Sequence, residues 1–292
     1  MMRAAVCGVV ITFHPKIDVL ENLAKVRPQL QGMVIVDNGS SPQELAPFYE
    51  ASARLGFTII ENGENLGIAA ALNTGIRWAQ SHDFSWVALF DQDSTVEAGL
   101  IEKMLAYYAE QPDQAKVAIV VPRYIDRKSG AEMPLLHDKD GKIMVVRTSG
   151  SLMPVSVFDH TGWFLEDFVI DQVDYEYCLR LGTLGYKIIA CRQATLIHSL
   201  GERQRHRVLG LFNIITTHHN AKRRYYITRN RVRMIQLYWK QYPAYCLDLL
   251  ALTAKDTFKI LLVEKPRFTK MKNSVAGLRD ALLNRMGKTV EL

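Results

Sequence analysis

Asp91 and Asp93 stand one residue apart in Phe90-Asp91-Gln92-Asp93-Ser94, directly after the apolar run Ser85 to Phe90. Two carboxylates that reach one point repel unless a hard cation such as Mg²⁺ or Mn²⁺ lies between them and a polyphosphate. The pattern points either to a metal-bound nucleotide or to acids that cap the next helix, since Ser94, Thr95 and Glu97 also suit a helix start. A second acidic cluster, Glu166, Asp167, Asp171, Asp174 and Glu176, lies among Phe164, Phe168, Tyr175 and Tyr177. One acid in the first turn of a helix answers the helix dipole, whereas five flanked by aromatics indicate a site. His198, near a strand end, reads by itself as a hydrogen-bonded structural residue or as a ligand.

These residues need elements to hold them. Apolar runs at Ala4 to Thr12, Met33 to Asp37, Phe57 to Glu61, Ser85 to Phe90 and Val117 to Val121 read as strands. They alternate with helical patterns near Ile17 to Arg27, Pro42 to Leu55, Ile68 to Gln80 and Glu97 to Glu110. This order predicts an α/β fold with a mostly parallel, helix-covered sheet. Ligands of such sheets gather beyond the strand C-terminal ends, where Thr12, Asp37-Asn38-Gly39, Asn62-Gly63 and Asp91-Gln92-Asp93 fall. Asn-Gly pairs are also ordinary turns, which accounts for those residues but not for acids recurring at one edge. Beyond a polar loop, Asp126 to Gly141, a strand is expected at Ile143 to Arg147, then Thr148-Ser149-Gly150-Ser151, a helix opening near Val173, and a strand at Tyr186 to Ala190. From Asn213 onward the pattern reads as helical.

The chain of 292 residues is 48% hydrophobic and 23% charged, an ordinary globular composition that excludes disorder. Its four cysteines form no C-x-x-C pair, so neither a zinc site nor a disulfide framework is expected, and a cytoplasmic chain fits. The apolar N-terminus lacks a small-residue cleavage site and reads as a buried strand. Ala244 to Val263 is interrupted by Asp248, Lys255, Asp256 and Lys259, against a membrane span.

Charge divides the chain. Residues 1–202 hold 17 Lys and Arg against 25 Asp and Glu, a net −8, while residues 203–292 hold 19 against 5, a net +14. The division suggests a catalytic region at 1–202 and a basic, mainly helical region at 203–292. Between Arg203 and Leu247 ten basic residues mix with Tyr225, Tyr226, Tyr238, Trp239, Tyr242 and Tyr245, and no acid intervenes. Such a run is either a solvated face or a surface for anions, lipid headgroups or nucleic acid; with no nucleic-acid motif beside it, lipid is expected. The apolar face Leu247, Leu250, Ala251, Ala254, Phe258, Leu261 and Leu262 is expected to lie on the membrane, in the catalytic domain or in a homo-oligomer interface.

Four motifs stand in order: Val36-Asp37-Asn38-Gly39-Ser40; Asn65-x-Gly67 with Asn73-x-Gly75; Asp91-Gln92-Asp93; and Asp174-Tyr175-Glu176 before Leu179-Arg180. Over residues 1–202 this resembles glycosyltransferase family 2, the inverting transferases of GT-A fold. The Phe-Asp-Gln-Asp-Ser form and Tyr225-Tyr226-Ile227-Thr228-Arg229-Asn230 look most like bacterial rhamnosyltransferases, which build cell-surface polysaccharide such as O-antigen from dTDP-L-rhamnose.

The resemblance implies a dTDP-sugar donor, with a UDP-linked sugar as the alternative, and a saccharide or lipid-linked saccharide acceptor at the cytoplasmic face of the inner membrane. It implies that Asp37 binds the base, that Thr12, Asn38, Asn65, Gly67, Asn73, Asp91 and Gln92 line the donor site, and that Asp93, Asp91 and His198 hold Mg²⁺ or Mn²⁺. Asp174 takes the place of the catalytic base, and Ser149, Gly150, Trp163, Asp171 and Glu176 that of the acceptor site. Val173 precedes Asp174 where the family commonly has Glu, which leaves Asp171 as the rival base. A nucleotidyltransferase would carry a glycine-rich basic loop after the first strand, and Thr12-Phe13-His14-Pro15 is not one. A non-catalytic binding module would have lost catalytic acids, and none is missing.

Overall fold

A computed structural model describes residues 5–198, 204–208, 212–216 and 219–291. The chain forms two compact units, residues 1–165 with 177–199 and residues 166–176 with 200–292. The segment 166–176 thus groups with the C-terminal part, a division that charge alone did not indicate. The expected boundary at 202 and His218 lie outside the described residues.

The first unit runs β1 (Val6–Thr12), α1 (Val19–Val26), β2 (Gly32–Asp37), α2 (Pro42–Leu55), β3 (Thr58–Glu61), α3 (Ile68–Ser81), β4 (Trp86–Asp91), β5 (Thr95–Val96), α4 (Leu100–Ala109), β6 (Val117–Asp126), β7 (Leu136–His137), β8 (Ile143–Val145), β9 (Leu152–Pro154), α5 (Ser156–Thr161), α6 (Val173–Thr183, from Tyr177 on) and β10 (Lys187–His198). Eight strands pair in the order β3-β2-β1-β4-β9-β6-β10-β5. Every residue of β1 is buried, as a parallel strand covered on both faces requires, which is why it reads as a continuous apolar run. Registers Thr12↔Asp37, Asp37↔Glu61 and Ile11↔Asp91 bring these strand ends to one edge.

Two short antiparallel strands were not expected. β9 inserts between β4 and β6, and β5 pairs with β10 at Thr95 and Val96, just before the predicted helix. That helix begins later, at Leu100, because Thr95 and Val96 are drawn into the sheet.

α3 packs closely on the sheet because its inner face is small. Ala69, Ala71, Gly75 and Ala79 are buried with Leu72 and Ile76. A Cβ at Gly75 would collide with Val9 Cγ1 and press on Val36 Cγ2, so Gly75 of the Asn73-x-Gly75 motif serves backbone approach.

The second unit holds β11 (Gln204–Val208) and β12 (Phe212–Thr216), an antiparallel pair, then α7 (Ala221–Tyr238), α8 (Pro243–Leu262) and α9 (Arg267–Leu282). The helical reading from Asn213 is therefore corrected: residues 212–216 are strand, and helix begins at Ala221, capped by Asn220 Oδ1 on the N–H of Arg223 at 2.8 Å.

The basic, aromatic run is corrected as well. Tyr225, Tyr226, Tyr238 and Tyr245 are buried, as are Arg224, Arg229 and Arg231, so this part of the run is core, whereas Lys222 and Lys240 are exposed. Arg224 pairs with Glu264 at 2.7 Å and Asp256 at 3.2 Å, Arg231 with Asp256 at 3.0 Å, and Lys270 with Glu264 at 2.8 Å. His219 is half-buried rather than solvated, and desolvation with Arg223 nearby pushes its pKa down to about 4. Among the described residues no helix is long and apolar enough to cross a membrane.

Gly75→Ala forces Val9 or α3 to shift and is expected to cost about 1–3 kcal/mol. Urea unfolding of the purified variant checks this.

Candidate active site

The sheet edge that gathers Thr12, Asp37 and Asp91 is built by side chains that fix loop backbone. Asp37 Oδ2 accepts the N–H groups of Gly39 and Ser40 at 3.0 and 2.7 Å, and Oδ1 accepts the hydroxyls of Thr12 and Ser40 at 3.0 and 2.6 Å. Four donors on a buried carboxylate hold the turn after β2 in one shape. Asn38 stitches that turn to the loop before α3. Its amide donates to Asn65 Oδ1 and Gly67 O, and its oxygen accepts from Asn62 Nδ2 and Leu66 N, at 3.0 to 3.2 Å. Asn65 Oδ1 also accepts the N–H of Gly67 at 3.0 Å. Gly67, at φ 91, lets the chain reverse into α3, where a side chain would be strained.

The aspartate pair ends β4 and is braced from several directions. Ser149 Oγ accepts the Asp91 N–H at 3.2 Å and bonds Ser94 Oγ at 2.6 Å. Gln92 accepts the Phe13 N–H at 2.9 Å and donates to Phe13 O at 3.3 Å, joining the ends of β1 and β4. Arg127 donates to Asp93 O at 3.0 Å and to Thr95 Oγ1 at 2.7 Å, and its N–H bonds His198 O at 3.0 Å. Arg127 escaped the sequence reading because it sits in the polar loop after β6, with no motif around it.

Asp91, Asp93 and His198 converge. One ligand atom from each lies within 4.8 Å of the other two. His198 Nδ1 is buried without a hydrogen-bond partner, 3.9 Å from Asp93 Oδ1. Burial lowers the His198 pKa despite the pull of Asp93, and Arg147 and Arg127 lower it further. The shift favours the neutral imidazole, the form whose lone pair ligates a metal. Two carboxylates and one imidazole suit Mg²⁺ or Mn²⁺.

Other expected site residues have internal partners. Asn73 is fully buried and clasps the backbone of Phe164, donating to its O at 2.9 Å and accepting its N–H at 3.1 Å; this corrects its place in a donor-binding loop. Ser149 is buried behind the aspartate pair and holds the Asp91 N–H, and Gly150, where a Cβ would press on Leu196 and Pro122, donates its N–H to Leu89 O at 2.7 Å. Trp163 is half-buried, stacked on Phe158 at 5.4 Å with the Arg77 guanidinium 4.8 Å from its ring centre.

In the second unit, Asp171 is bound by both oxygens to Arg223 at 3.0 Å. Glu176 is buried and accepts the Tyr238 hydroxyl at 2.8 Å, so it braces α7 rather than facing an acceptor. Asp174 opens α6, half-buried, with its Oδ1 3.0 Å from the N–H of Tyr175. Val169, Asp171 and Gln172 all have positive φ, near 65°. Asn230 Nδ2 spans the carbonyls of Phe168, Ile170 and Asp171 at 2.7 to 2.9 Å, and Arg229 donates to Asp167 O at 2.8 Å. A cavity of about 480 Å³ borders this segment, lined by Asp171, Gln172, His219, Arg224, Arg231 and Asp256 among others.

A family model described as "Glycosyl transferase family 2" matches residues 9–161, just over half of the chain. Over 302 aligned positions the chain is 25% identical to "dTDP-rhamnosyl transferase RfbF" of Shigella flexneri, covering 96% of both proteins. Among solved structures it is similar to S. aureus TarS 1-349, with a TM-score of 0.63 and 13% identity over 96% of this chain and 82% of that one. It spans only 49% of the longer TarS chain. The mannosyltransferase PcManGT from Pyrobaculum calidifontis, in complex with GDP-Man and Mn²⁺, gives a TM-score of 0.56 and 18% identity over 97% of this chain and 88% of that one. At these identities the solved structures speak for the fold.

Asp93→Ala and His198→Ala are each expected to raise the dissociation constant for Mn²⁺ by about tenfold or more. Electron paramagnetic resonance titration of free Mn²⁺, with and without a nucleoside diphosphate, measures the effect.

Proposed function

Because the chain belongs to glycosyl transferase family 2, we propose that it transfers L-rhamnose from dTDP-L-rhamnose to a hydroxyl group of a saccharide, free or lipid-linked, in cell-surface polysaccharide synthesis. The observation that carries the reading is the convergence of Asp91, Asp93 and a partnerless His198 Nδ1 at the ligand edge of the sheet. The choice of sugar draws support from the likeness to RfbF along nearly the whole of both chains.

In this reading Asp91, Asp93 and His198 hold a divalent cation, which when bound neutralises charge on the departing diphosphate. Asp37 and Asn38 keep the turn and the loop to Gly67 in the shape the nucleotide meets. Both side chains are already saturated with internal bonds. Their part is preorganisation, with the nucleotide taking backbone and remaining lone pairs. Positive charge from Arg127 beside the aspartate pair suits the same anionic group.

Inversion needs a carboxylate that accepts the proton of the acceptor hydroxyl as its oxygen bonds the anomeric carbon and the bond to the diphosphate breaks. We assign this to Asp174. Asp171 is the poorer candidate because Arg223 engages both of its oxygens, which leaves neither free to meet the acceptor hydroxyl. The cavity bordered by Asp171 and Gln172 offers the acceptor a polar bed two residues before Asp174.

Asp174→Asn keeps the shape but cannot take the proton, so kcat is expected to fall by about a hundredfold or more while dTDP affinity stays near wild type. Asp171→Asn, which loses the Arg223 pair, is expected to retain far more of kcat. Donor consumption measured across a panel of dTDP- and UDP-sugars checks the sugar. If Asp171→Asn abolishes turnover and Asp174→Asn does not, the roles are reversed.

A further inference from the structure

The strongest unassigned surface lies on α8 and α9. On α8, Leu247, Leu250, Ala251, Ala254, Phe258, Leu261 and Leu262 recur at helical spacing, and all are exposed. The opposite side of the same helix, Tyr245, Cys246, Leu249 and Ile260, is buried, so packing does not require the outer stripe. On α9 the pattern repeats with Phe268, Val275, Leu278 and Leu282, exposed by 92, 60, 41 and 65%. Single exposed apolar residues are ordinary, but stripes along two successive helices mark a contact surface.

Charge identifies the occupant. The acids of this region turn inward: Asp256 pairs with Arg224 and Arg231, Glu264 with Arg224 and Lys270, and Asp280 with Arg279. Among the described residues 243–285, Asp248 is the one exposed acid, whereas Lys255, Lys265, Arg267, Lys272, Arg279 and Arg285 are exposed cations. At about 100° per residue, Lys255 borders the α8 stripe beside Leu262, and Lys272 borders the α9 stripe beside Phe268. A second copy of the chain would bring cation rims together around its apolar stripe, with little acid to answer them. An anionic lipid surface satisfies both features, accepting the apolar side chains among its acyl chains and the rim at its headgroups.

We propose that the outer face of α8 and α9 docks the protein on an anionic lipid bilayer. The apolar stripe on α8 is the one expected from the sequence, but the charge comes from the rims of α8 and α9, because Arg224 is buried and Arg223 is held by Asp171. Binding is electrostatic at the rim and hydrophobic at the stripe, so salt weakens it without abolishing it.

The test is flotation of the full chain with vesicles of phosphatidylcholine, alone or mixed with phosphatidylglycerol, alongside sedimentation velocity without lipid. The wild type is expected to float with mixed vesicles and far less with neutral ones. Replacing Lys255, Lys265 and Lys272 by Gln is expected to weaken partition into mixed vesicles by about tenfold or more. Leu261→Glu with Phe268→Glu is expected to abolish flotation, and thermal melts check that both exposed sets remain folded. Lack of flotation with mixed vesicles overturns the proposal, as does flotation unchanged in either variant. So does a wild-type dimer that the Glu variant converts to monomer without any vesicle binding. Binding of dTDP, measured on the same samples, separates this outcome from the transferase reading, which survives a failure to float.

Discussion

The geometry of the acidic segment depends on one clamp, the side chains of Arg229 and Asn230 on the carbonyls of residues 167–171. Val169, Asp171 and Gln172 have left-handed backbone without being glycine, and for a β-branched residue such as Val169 that conformation is a true outlier. Each such residue costs about 1–3 kcal/mol and persists only where its surroundings over-determine it. Asn230 Nδ2 donates to the carbonyls of Phe168, Ile170 and Asp171, and Arg229 adds bonds to Asp167, Phe168 and Gly287. Burying the Arg229 guanidinium is itself costly, and burial lowers its pKa. The carbonyls and the faces of Tyr226 and Tyr225, 4.8 and 5.6 Å from the guanidinium carbon, offset part of that cost. The clamp decides where α6 starts and so where Asp174 sits.

The donor-side edge is held by the same device with different residues. Asn38, Asp37, Ser149 and Gln92 spend their hydrogen bonds on loop backbone and on neighbouring side chains, and bonds of Asn38, Ser149 and Gln92 reach 24 to 79 residues along the chain. A buried polar group must be satisfied, and a network in which every member is satisfied has one low-energy arrangement. The exception stands out for that reason. His198 Nδ1 is buried and partnerless beside two carboxylates, in a neighbourhood where nearly every other polar atom has been accommodated.

Local pattern made the parallel strands and the aspartate pair legible, because an all-buried strand reads as an apolar run and a D-x-D at its end needs no distant information. β9 was not legible. Its three residues, Leu152 to Pro154, carry no period of their own, and its partners β4 and β6 fix it through long-range pairing. Asn73 misled for a related reason. Its motif neighbour Gly67 does shape the loop, but Asn73 lies one and a half turns into α3, where its amide meets Phe164 from 91 residues away. The Tyr-Tyr-Ile-Thr-Arg-Asn stretch was recognised only as a resemblance; its physical task appears once Asn230 is seen on the carbonyls of the acidic segment.

Net charge alone does not say which cations a partner can reach. A net +14 over residues 203–292 is a fact of composition, yet burial determines which cations meet solvent. Arg224, Arg231 and Lys270 are engaged with Asp256 and Glu264 in the interior, where removing one partner would strand another charge. Taking these five groups out of view removes three cations and two acids, which barely changes the total but transforms the pattern. Of the acids on α8 and α9, Asp256 and Asp280 are spent in ion pairs and only Asp248 is exposed, and Lys255 and Lys272 flank the apolar stripes. A basic region thus resolves into two structures with different physics, an ion-paired core between α7, α8 and α9 and an outer face that sets cations beside exposed apolar side chains.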